Sequence, residues 1–152
     1  MTRLSTILLS GLLCTGTAFA AGTRGTPDEA KALDLKGAAL VEAQGDKAFG
    51  VIDDRGGPLV DRDLYITVID RQGVMRASGF NVNQIGTNTW DAEDPDGMKF
   101  VQEFWKIVAN DSHEGWLNYK IVDPISKKIA PKRAFVHQVG DYVLVCGSYI
   151  GG

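Results

Sequence analysis

The stretch WLNYKIVDPISKKIAPKRAFVHQVGDYVLVCGSY, residues 116–149, decides the fold of this chain. Its β-branched and aromatic runs predict three strands, at residues 116–122, 134–139 and 142–149. Residues 123–128 form one connecting turn, and Gly140 with Asp141 forms a second, tighter one. Consecutive strands joined by such short connections pair as antiparallel hairpins. The carboxyl-terminal part of the chain therefore predicts an antiparallel sheet.

Upstream of this stretch, the spacing of the apolar residues changes twice. Residues 64–70 and 74–77 are rich in β-branched side chains on either side of a turn, which predicts two further strands. Residues 78–89 are rich in Asn and Gly and are predicted to form a loop. An apolar stripe with helical spacing follows, and consists of Phe100, Val101, Phe104, Trp105 and Val108.

The amino-terminal helix is predicted by the residues at its two ends. Thr26 suits the N-cap, Pro27 the first helical position, and Glu29 the third position of a capping box. Gly45 ends the helix, and residues 47–52 predict a short second one. The order helix, helix, two strands, helix, three strands predicts an α+β fold with the helices segregated around an antiparallel sheet.

The first twenty residues have the three-part pattern of a cleavable signal peptide. Arg3 supplies the positive start, and residues 4–13 form an apolar stretch that is too short to span a bilayer with any margin. Small side chains at Ala18 and Ala20 precede the expected cleavage site after Ala20. We expect residues 21–152 to be exported as one small soluble domain, either to the periplasm or out of the cell.

Two other interpretations of this leader remain open. The apolar stretch could be a buried first helix of the domain, although nothing amphipathic accompanies it. Alternatively, Cys14 could be the acylated cysteine of a lipoprotein, although Leu13 stands where such a signal has a small residue. No other segment is apolar enough to span a membrane, so no membrane insertion is expected after cleavage.

The expected mature chain is mildly acidic. It keeps 19 Asp and Glu against 15 Lys and Arg, because only Arg3 leaves with the signal peptide. Nucleic-acid-binding domains are usually strongly basic, so no nucleic acid partner is expected. Cys146 would be the lone cysteine, which excludes an intramolecular disulfide, and its apolar neighbours favour a small buried side chain over a nucleophile.

Motifs for catalysis or metal binding are scarce. Neither His113 nor His137 has a cysteine or second histidine at zinc-site spacing, and no nucleophile elbow, phosphate loop or dinucleotide motif occurs. A partial calcium-loop pattern consists of Asp94, Asp96, Gly97 and Glu103. Ala92 stands where that pattern has its first carboxylate, so a simple acidic turn before a helix is the better interpretation. We expect no metal, no other cofactor and no enzymatic activity.

Aromatic side chains and one lysine are better candidates for a binding site. Trp and Tyr join an apolar body to a polar tip, which suits a pocket for a partly polar ligand and equally suits a core. The aromatic candidates are Tyr65, Trp105, Trp116, Tyr119 and Phe135. Lys132 follows Pro131 at the start of a strand, where its ammonium could either bind a carboxylate or simply be solvated.

A series of short motifs runs through the expected mature chain. They are TPDEA at 26–30, GDKAF at 45–49, DLYITVIDRQG at 63–73, QIGTN at 84–88, DPDGMKFV at 94–101, GWLNYK at 115–120, DP at 123–124, PK at 131–132 and VGDYV at 139–143. In their order and spacing, the chain resembles the single Cache domains of the second type, which are bacterial extracytoplasmic sensor modules.

The resemblance implies a PAS-like fold, with a long amino-terminal helix behind a central antiparallel sheet and a small-ligand pocket on the other face. By position in the motifs, the implied pocket residues are Tyr65, Trp116, Tyr119 and Lys132, with Trp105 and Phe135 as less secure candidates. The known ligands of the family are mostly small organic acids. Residues 76–81 depart from the family pattern, so the resemblance does not imply which ligand this chain binds.

We therefore predict a stand-alone exported module that binds a small organic acid or a similar compact polar molecule. Its predicted signalling partner is a membrane receptor or kinase. The alternative hypothesis is an accessory or structural envelope protein, in which the aromatic residues fill the core and no small ligand binds. An enzyme is the third hypothesis, since no nucleophile–base pair is visible.

Overall fold

The computed structural model describes residues 23–151, which form three α-helices and a six-stranded sheet. The helices are α1 (Pro27–Gln44), α2 (Phe49–Ile52) and α3 (Phe100–Ile107), and 3-10 turns cover Gly45–Ala48 and Val82–Gln84. The strands are β1 (Val60–Asp61), β2 (Leu64–Asp70), β3 (Met75–Ser78), β4 (Glu114–Val122), β5 (Ile129–Val139) and β6 (Tyr142–Tyr149). The predicted signal peptide, residues 1–20, and its cleavage site lie outside the described residues. Within residues 23–151, no helix has the length and hydropathy needed to cross a membrane.

Helix α1 begins and ends at the residues that the sequence predicted. The Thr26 hydroxyl accepts the backbone N–H of Glu29 at 3.2 Å, and the Glu29 carboxylate accepts the backbone N–H of Thr26 at 2.8 Å. This reciprocal capping box satisfies donors that the first turn of a helix leaves free. At the other end, Gly45 has a φ of 58°, a conformation that glycine adopts without strain.

The sheet is antiparallel throughout, and the carboxyl-terminal strand lies at its centre. The strand order is β1-β2-β6-β5-β4, and β3 also pairs with β2. Because β6 pairs with β2 on one side and β5 on the other, it joins the two halves of the sheet. This confirms the predicted α+β, PAS-like architecture with a long amino-terminal helix on a central antiparallel sheet.

One face of the sheet, here called the helix face, is covered by α1. Ile66, Val68 and Leu144 project from β2 and β6 into a core that they share with α1. The approach of α1 is close, because a Cβ added at Gly37 would overlap Cδ1 of Ile66. Gly37 weakens the helix locally but lets it pack directly on the strands.

The opposite face, here called the cavity face, is only partly covered. Helix α3 packs Val101 and Phe104 against strand residues that include Val136 and Val143. The long connection between β3 and α3 lies over the remainder of this face, and an isolated bridge between Val74 and Asn88 ties it to the sheet. The space left between sheet, helix and connection forms a cavity.

A buried ion-pair cluster joins the segment before α1 to the far end of the sheet. The Arg24 guanidinium bonds Asp123, in the turn between β4 and β5, at 2.6 and 2.9 Å, and it also reaches Asp63 at 3.3 Å. Both carboxylates are almost completely buried, and the pKa of Asp123 is lowered, chiefly by its hydrogen bonds from Arg24. The amino end of the domain is thereby fixed to the β4–β5 hairpin.

The largest difference from the sequence prediction is the start of β5, which begins at Ile129 and not at Ala134. Pro131 lies inside it, and a proline lacks the N–H that a strand normally donates. The Pro131 carbonyl accepts the N–H of Ile150, just after the end of β6. In an antiparallel pair the N–H and C=O of one residue point to the same neighbouring strand, so proline costs the sheet only one hydrogen bond here, at the end of β6. Strand β1 is too short to leave a periodicity in the sequence, and it was not predicted.

Candidate ligand-binding cavity

A cavity of about 970 Å³ lies on the cavity face of the sheet. Strand residues such as Ile69 and Val145 form its apolar inner wall, and Phe100 and Phe104 of α3 close one side. Polar residues of the β3–α3 connection, among them Asn81 and Gln84, line the rest. A concave, mostly apolar space with a few polar groups is the usual form of a small-molecule site.

Three of the predicted site residues meet at the deepest part of the cavity, here called the floor: Tyr65, Tyr119 and Lys132. Register brings them together, because Lys132 lies directly opposite Tyr119 on β4 and Tyr149 on β6. Directly opposed residues of antiparallel strands project to the same face of the sheet. Tyr65 reaches the same point from β2, with its ring centroid 4.1 Å from the Lys132 ammonium.

Lys132 is the feature of the floor that most needs an explanation. It is only 2% exposed, yet no described Asp or Glu forms an ion pair with it. Its neighbours within the domain are the rings of Tyr65 and Tyr149. Burial opposes its charge, whereas the adjacent oxygen of Tyr65 favours it. The floor therefore contains a buried ammonium group that no described carboxylate neutralises.

The hydroxyl groups around Lys132 have fixed directions. Tyr149 donates its single proton to the carbonyl of Val122 at 2.8 Å. The hydroxyls of Tyr65 and Tyr149 lie 3.1 Å apart, so Tyr65 must be the donor in that pair. The protons of both tyrosines are thus committed within the protein, and their oxygens are the atoms available to the Lys132 ammonium.

Tyr119 differs from the other two tyrosines. Its ring stacks on Phe100 at 5.0 Å and meets the edge of Phe104 at 5.5 Å, which fixes its orientation. Its hydroxyl makes no hydrogen bond with any other residue of the described part of the chain. Burial raises the pKa of Tyr119 to about 12, so the group stays a neutral donor at physiological pH. Lys132 and Tyr119 together offer N–H and O–H donors to an anion at the floor.

Three acidic residues of the β3–α3 connection, Asp91, Glu93 and Asp94, line the outer part of the cavity and are here called the rim; Lys120 of β4 also lines the cavity, beside Asp94. Asp94 organises this segment, because its carboxylate accepts the backbone N–H groups of Asp96, Met98 and Lys120 at 2.9, 3.0 and 3.2 Å. These bonds, chiefly the one from Met98, lower the pKa of Asp94. They also fasten the connection to the edge strand β4.

The other three predicted site residues do not line the cavity. Trp116 and Phe135 are cross-strand partners on the helix face, with ring centroids 5.2 Å apart. Lys31 of α1 lies 4.5 Å above the Phe135 ring, which confirms that this ring points toward the helix. Trp105 packs at the margin of the α3 core, where the Arg71 guanidinium covers its ring at 5.0 Å. These three residues therefore do not share the cavity with Lys132, because strand alternation places Trp116 and Phe135 on the helix face and because Trp105 packs beside the α3 core.

Sequence reasoning also missed residues that shape the floor. Tyr149 was assigned only to the last strand, although two-residue alternation along β6 places it on the face of Val143 and Val145. Phe100 and Phe104 were interpreted as a helical core stripe, and their second role as a cavity wall depends on where α3 sits. No periodicity in the sequence reports the position of α3 relative to β4.

A long amino-terminal helix on one face of an antiparallel sheet, with a ligand-sized cavity on the other, defines a PAS-like sensor fold. The sequence profile of the family Single Cache domain 2 matches residues 26–151. The chain belongs to this family of sensor domains, which confirms the resemblance drawn from its motifs.

Solved structures of chemosensory domains share the fold. A methyl-accepting chemotaxis protein from Vibrio parahaemolyticus is 20% identical with a TM-score of 0.69, covering 81% of this chain and 87% of its own. A periplasmic sensor domain of a chemotaxis protein is 24% identical with a TM-score of 0.64, covering 82% and 90%. A Cache chemosensory domain described for carboxylic acid recognition is 19% identical with a TM-score of 0.68, covering 82% and 92%. No curated protein sequence matches this chain.

Proposed function

We propose that this chain is an exported sensory module that binds a small organic acid, whose carboxylate lies between Lys132 and Tyr119. The observation that carries the proposal is the buried Lys132 ammonium, which has no carboxylate partner among the described residues and faces the cavity. A buried charge without a counter-ion is costly, and a ligand carboxylate would compensate it through charge-assisted hydrogen bonds. The family membership and the carboxylic acid recognition described for one structural neighbour support the same ligand class.

Each floor residue has a distinct role in this proposal. Lys132 supplies the charge and Tyr119 supplies a neutral donor, while Tyr65 and Tyr149 position the lysine through their oxygen atoms. The apolar part of the acid packs against Ile69 and the α3 side of the cavity. In this proposal the floor residues bind the ligand and leave it chemically unchanged.

The predicted signal peptide supports the proposal that the module acts in the periplasm or outside the cell. A sensory module of this kind needs a second protein to carry its signal into the cell. A membrane receptor or kinase is the partner that we propose, with acid binding as the event that the partner reads.

The proposal is tested with the protein expressed with its own leader and purified after export. Melting temperatures are measured with a panel of small carboxylates and with the corresponding uncharged amides. An acid at a hundred times its dissociation constant should add roughly 2.7 kcal/mol of stability, and its amide should add almost none. If no acid changes the melting temperature and native mass spectrometry finds nothing bound, the accessory-protein hypothesis is favoured instead.

Lys132→Met removes the charge but keeps most of the side-chain volume. We expect this variant to lose the stabilisation by acids while its unliganded melting temperature stays equal or rises, because a buried unpaired charge has been removed. Lys128→Met is the matched control, since Lys128 is exposed in the β4–β5 turn and does not line the cavity. Unchanged acid binding in Lys132→Met would contradict the assignment of the site.

A further inference from the structure

The cavity carries charges of opposite sign at its two ends. Lys132 is buried at the floor, whereas the three rim residues Asp91, Glu93 and Asp94 are all acidic and belong to the covering connection. Two of the three rim side chains are exposed and Asp94 is 6% exposed, so the rim lies toward solvent and the floor away from it. A ligand in this cavity therefore experiences a field directed from floor to rim.

The rim charges are only partly neutralised within the domain. Asp91 pairs with Lys99 at 2.8 Å. Asp94 is held by backbone N–H groups and not by a cation, since the ammonium of nearby Lys120 pairs with Asp96 at 2.8 Å. Glu93 forms no ion pair within residues 23–151. The rim thus keeps a negative charge that faces the same space as the unpaired ammonium of Lys132.

From this arrangement we infer that the ligand is a zwitterion whose carboxylate and ammonium are separated by an apolar chain, as in an ω-amino acid. The inference rests on the proposed function, because it needs the carboxylate at Lys132. The ammonium then lies at the rim beside Glu93 and Asp94. The methylene chain between the two charges contacts the apolar wall formed by Ile69, Phe104 and Val145.

Two neighbouring ligand classes fit this charge pattern less well. In an α-amino acid the ammonium is attached next to the carboxylate, so it would be placed at the floor close to Lys132 and repelled by it. A dicarboxylate would place its second negative charge at the acidic rim, where the nearest described cations, Lys99 and Lys120, are already paired with Asp91 and Asp96. A plain fatty acid suffers no repulsion but gains nothing at the rim.

The test compares compounds of one length that differ only in the end group. The first series consists of γ-aminobutyrate, pentanoate and glutarate. At the same distance from the bound carboxylate, they carry an ammonium, a methyl and a second carboxylate, respectively. In α-aminobutyrate, by contrast, the ammonium lies next to the carboxylate. ε-Aminocaproate, heptanoate and pimelate repeat the comparison at greater length. Dissociation constants are measured by calorimetry with the exported protein, at low and at high salt, because screening weakens exposed charge interactions.

We expect the ω-amino acid to bind most tightly and the dicarboxylate most weakly at one or both lengths. Glu93→Gln should weaken ω-amino acid binding by roughly two- to fivefold and leave the fatty acid unaffected, as for a partly exposed ion pair. Glu42→Gln, an exposed change on α1 outside the cavity, is the matched control and should alter neither.

The two proposals fail in different ways. If pentanoate and glutarate bind as tightly as γ-aminobutyrate at both lengths, and Glu93→Gln changes nothing, the zwitterion inference is wrong while acid binding at Lys132 stands. If none of these acids binds to the wild-type protein at either salt concentration, or if all bind equally well to Lys132→Met, the proposed function fails as well.

Discussion

Each face of the sheet buries one side chain of a charged type, Asp34 on the helix face and Lys132 on the cavity face, and the surroundings of the two differ. On the helix face, Asp34 of α1 is fully buried, and neither carboxylate oxygen has a hydrogen-bond partner in the described part of the chain. Its nearest partner is His137 of β5, whose Nδ1 lies 3.7 Å from Oδ1. On the cavity face, Lys132 is almost as deeply buried, but it has no acidic partner among the described residues and it lines the cavity.

Asp34 has a partner within the domain that can compensate its charge, whereas we propose that a ligand compensates the charge of Lys132. Burial raises the pKa of Asp34 to about 6, although His137 opposes the shift, and Asp34 in turn raises the pKa of His137. A proton held by this pair is therefore the internal means of compensating the buried carboxylate. Lys132 has no comparable group beside it among the described residues, and we propose that a ligand carboxylate in the cavity compensates it.

The largest expected effect on stability comes from adding side-chain atoms between α1 and the helix face of the sheet. Gly37→Val places side-chain atoms on Cδ1 of Ile66, in a contact without free volume, and should destabilise the domain by roughly 2–3 kcal/mol. Gly50→Val is the same change at a helical glycine with no neighbour within 4 Å, and should cost almost nothing. Denaturant unfolding of both variants measures the contrast, and an equal loss in the two would mean that α1 is not closely packed.

The second-largest expected effect is a pH dependence of the free energy of unfolding, caused by Asp34 and His137 on the helix face. The pKa of Asp34 in the folded protein lies above its value in the unfolded chain, so its favourable contribution is present below about pH 4 and is lost as the pH rises to about 6. The pKa of His137 is raised too, so its contribution is lost as the pH rises further through the folded value. Both signs predict falling stability from about pH 5 to pH 8, and Asp34 alone contributes about 1 kcal/mol of this fall.

Other titratable groups near Asp34 and His137 do not change the direction of this pH dependence. Glu114, which is bound by Lys31 at 3.0 Å, and Glu42 both favour the protonated form of His137. The buried thiol of Cys146 lies near Asp34, and burial keeps its pKa above the usual value, so it stays neutral. Asp34→Asn should flatten the pH profile of the free energy of unfolding between pH 5 and 8. A profile as steep as that of the wild type would show that other groups cause it.

The smallest effect is expected from Tyr149→Phe, which alters the floor without touching its charge. The variant loses the hydrogen bond to Val122 and frees the proton of Tyr65, at a cost of about 1 kcal/mol. Acid affinity should fall modestly, because the Tyr65 oxygen is no longer oriented toward Lys132. Tyr142→Phe removes a hydroxyl that bonds Asp46, away from the cavity, and should leave acid affinity unchanged. Equal acid affinities in Tyr149→Phe and Tyr142→Phe would show that Tyr149 does not contribute to acid binding.

Much of the candidate site could be predicted from the sequence, and the assignment of Trp116 and Phe135 to the same pocket as Lys132 could have been avoided. Lys132 and Phe135 lie three residues apart on one strand, as do Trp116 and Tyr119, so strand alternation alone places the members of each pair on opposite faces. The motif resemblance correctly indicated a pocket on the sheet, but it grouped these residues by position in the sequence without regard to the face. The placement of Trp105 was not predictable in this way, because α3 contacts both the core and the cavity.

The sequence by itself determined the local elements and the family. The capping box at Thr26, the two-residue alternation of the central strands and the turn at Gly140 are local preferences, and each needs only a few neighbouring residues. Only the tertiary structure decided that Lys132 faces the cavity with no described carboxylate paired to it and that Asp34 faces a histidine. Both outcomes depend on strand register and on the closeness of α1, which are set by packing between residues far apart in the chain.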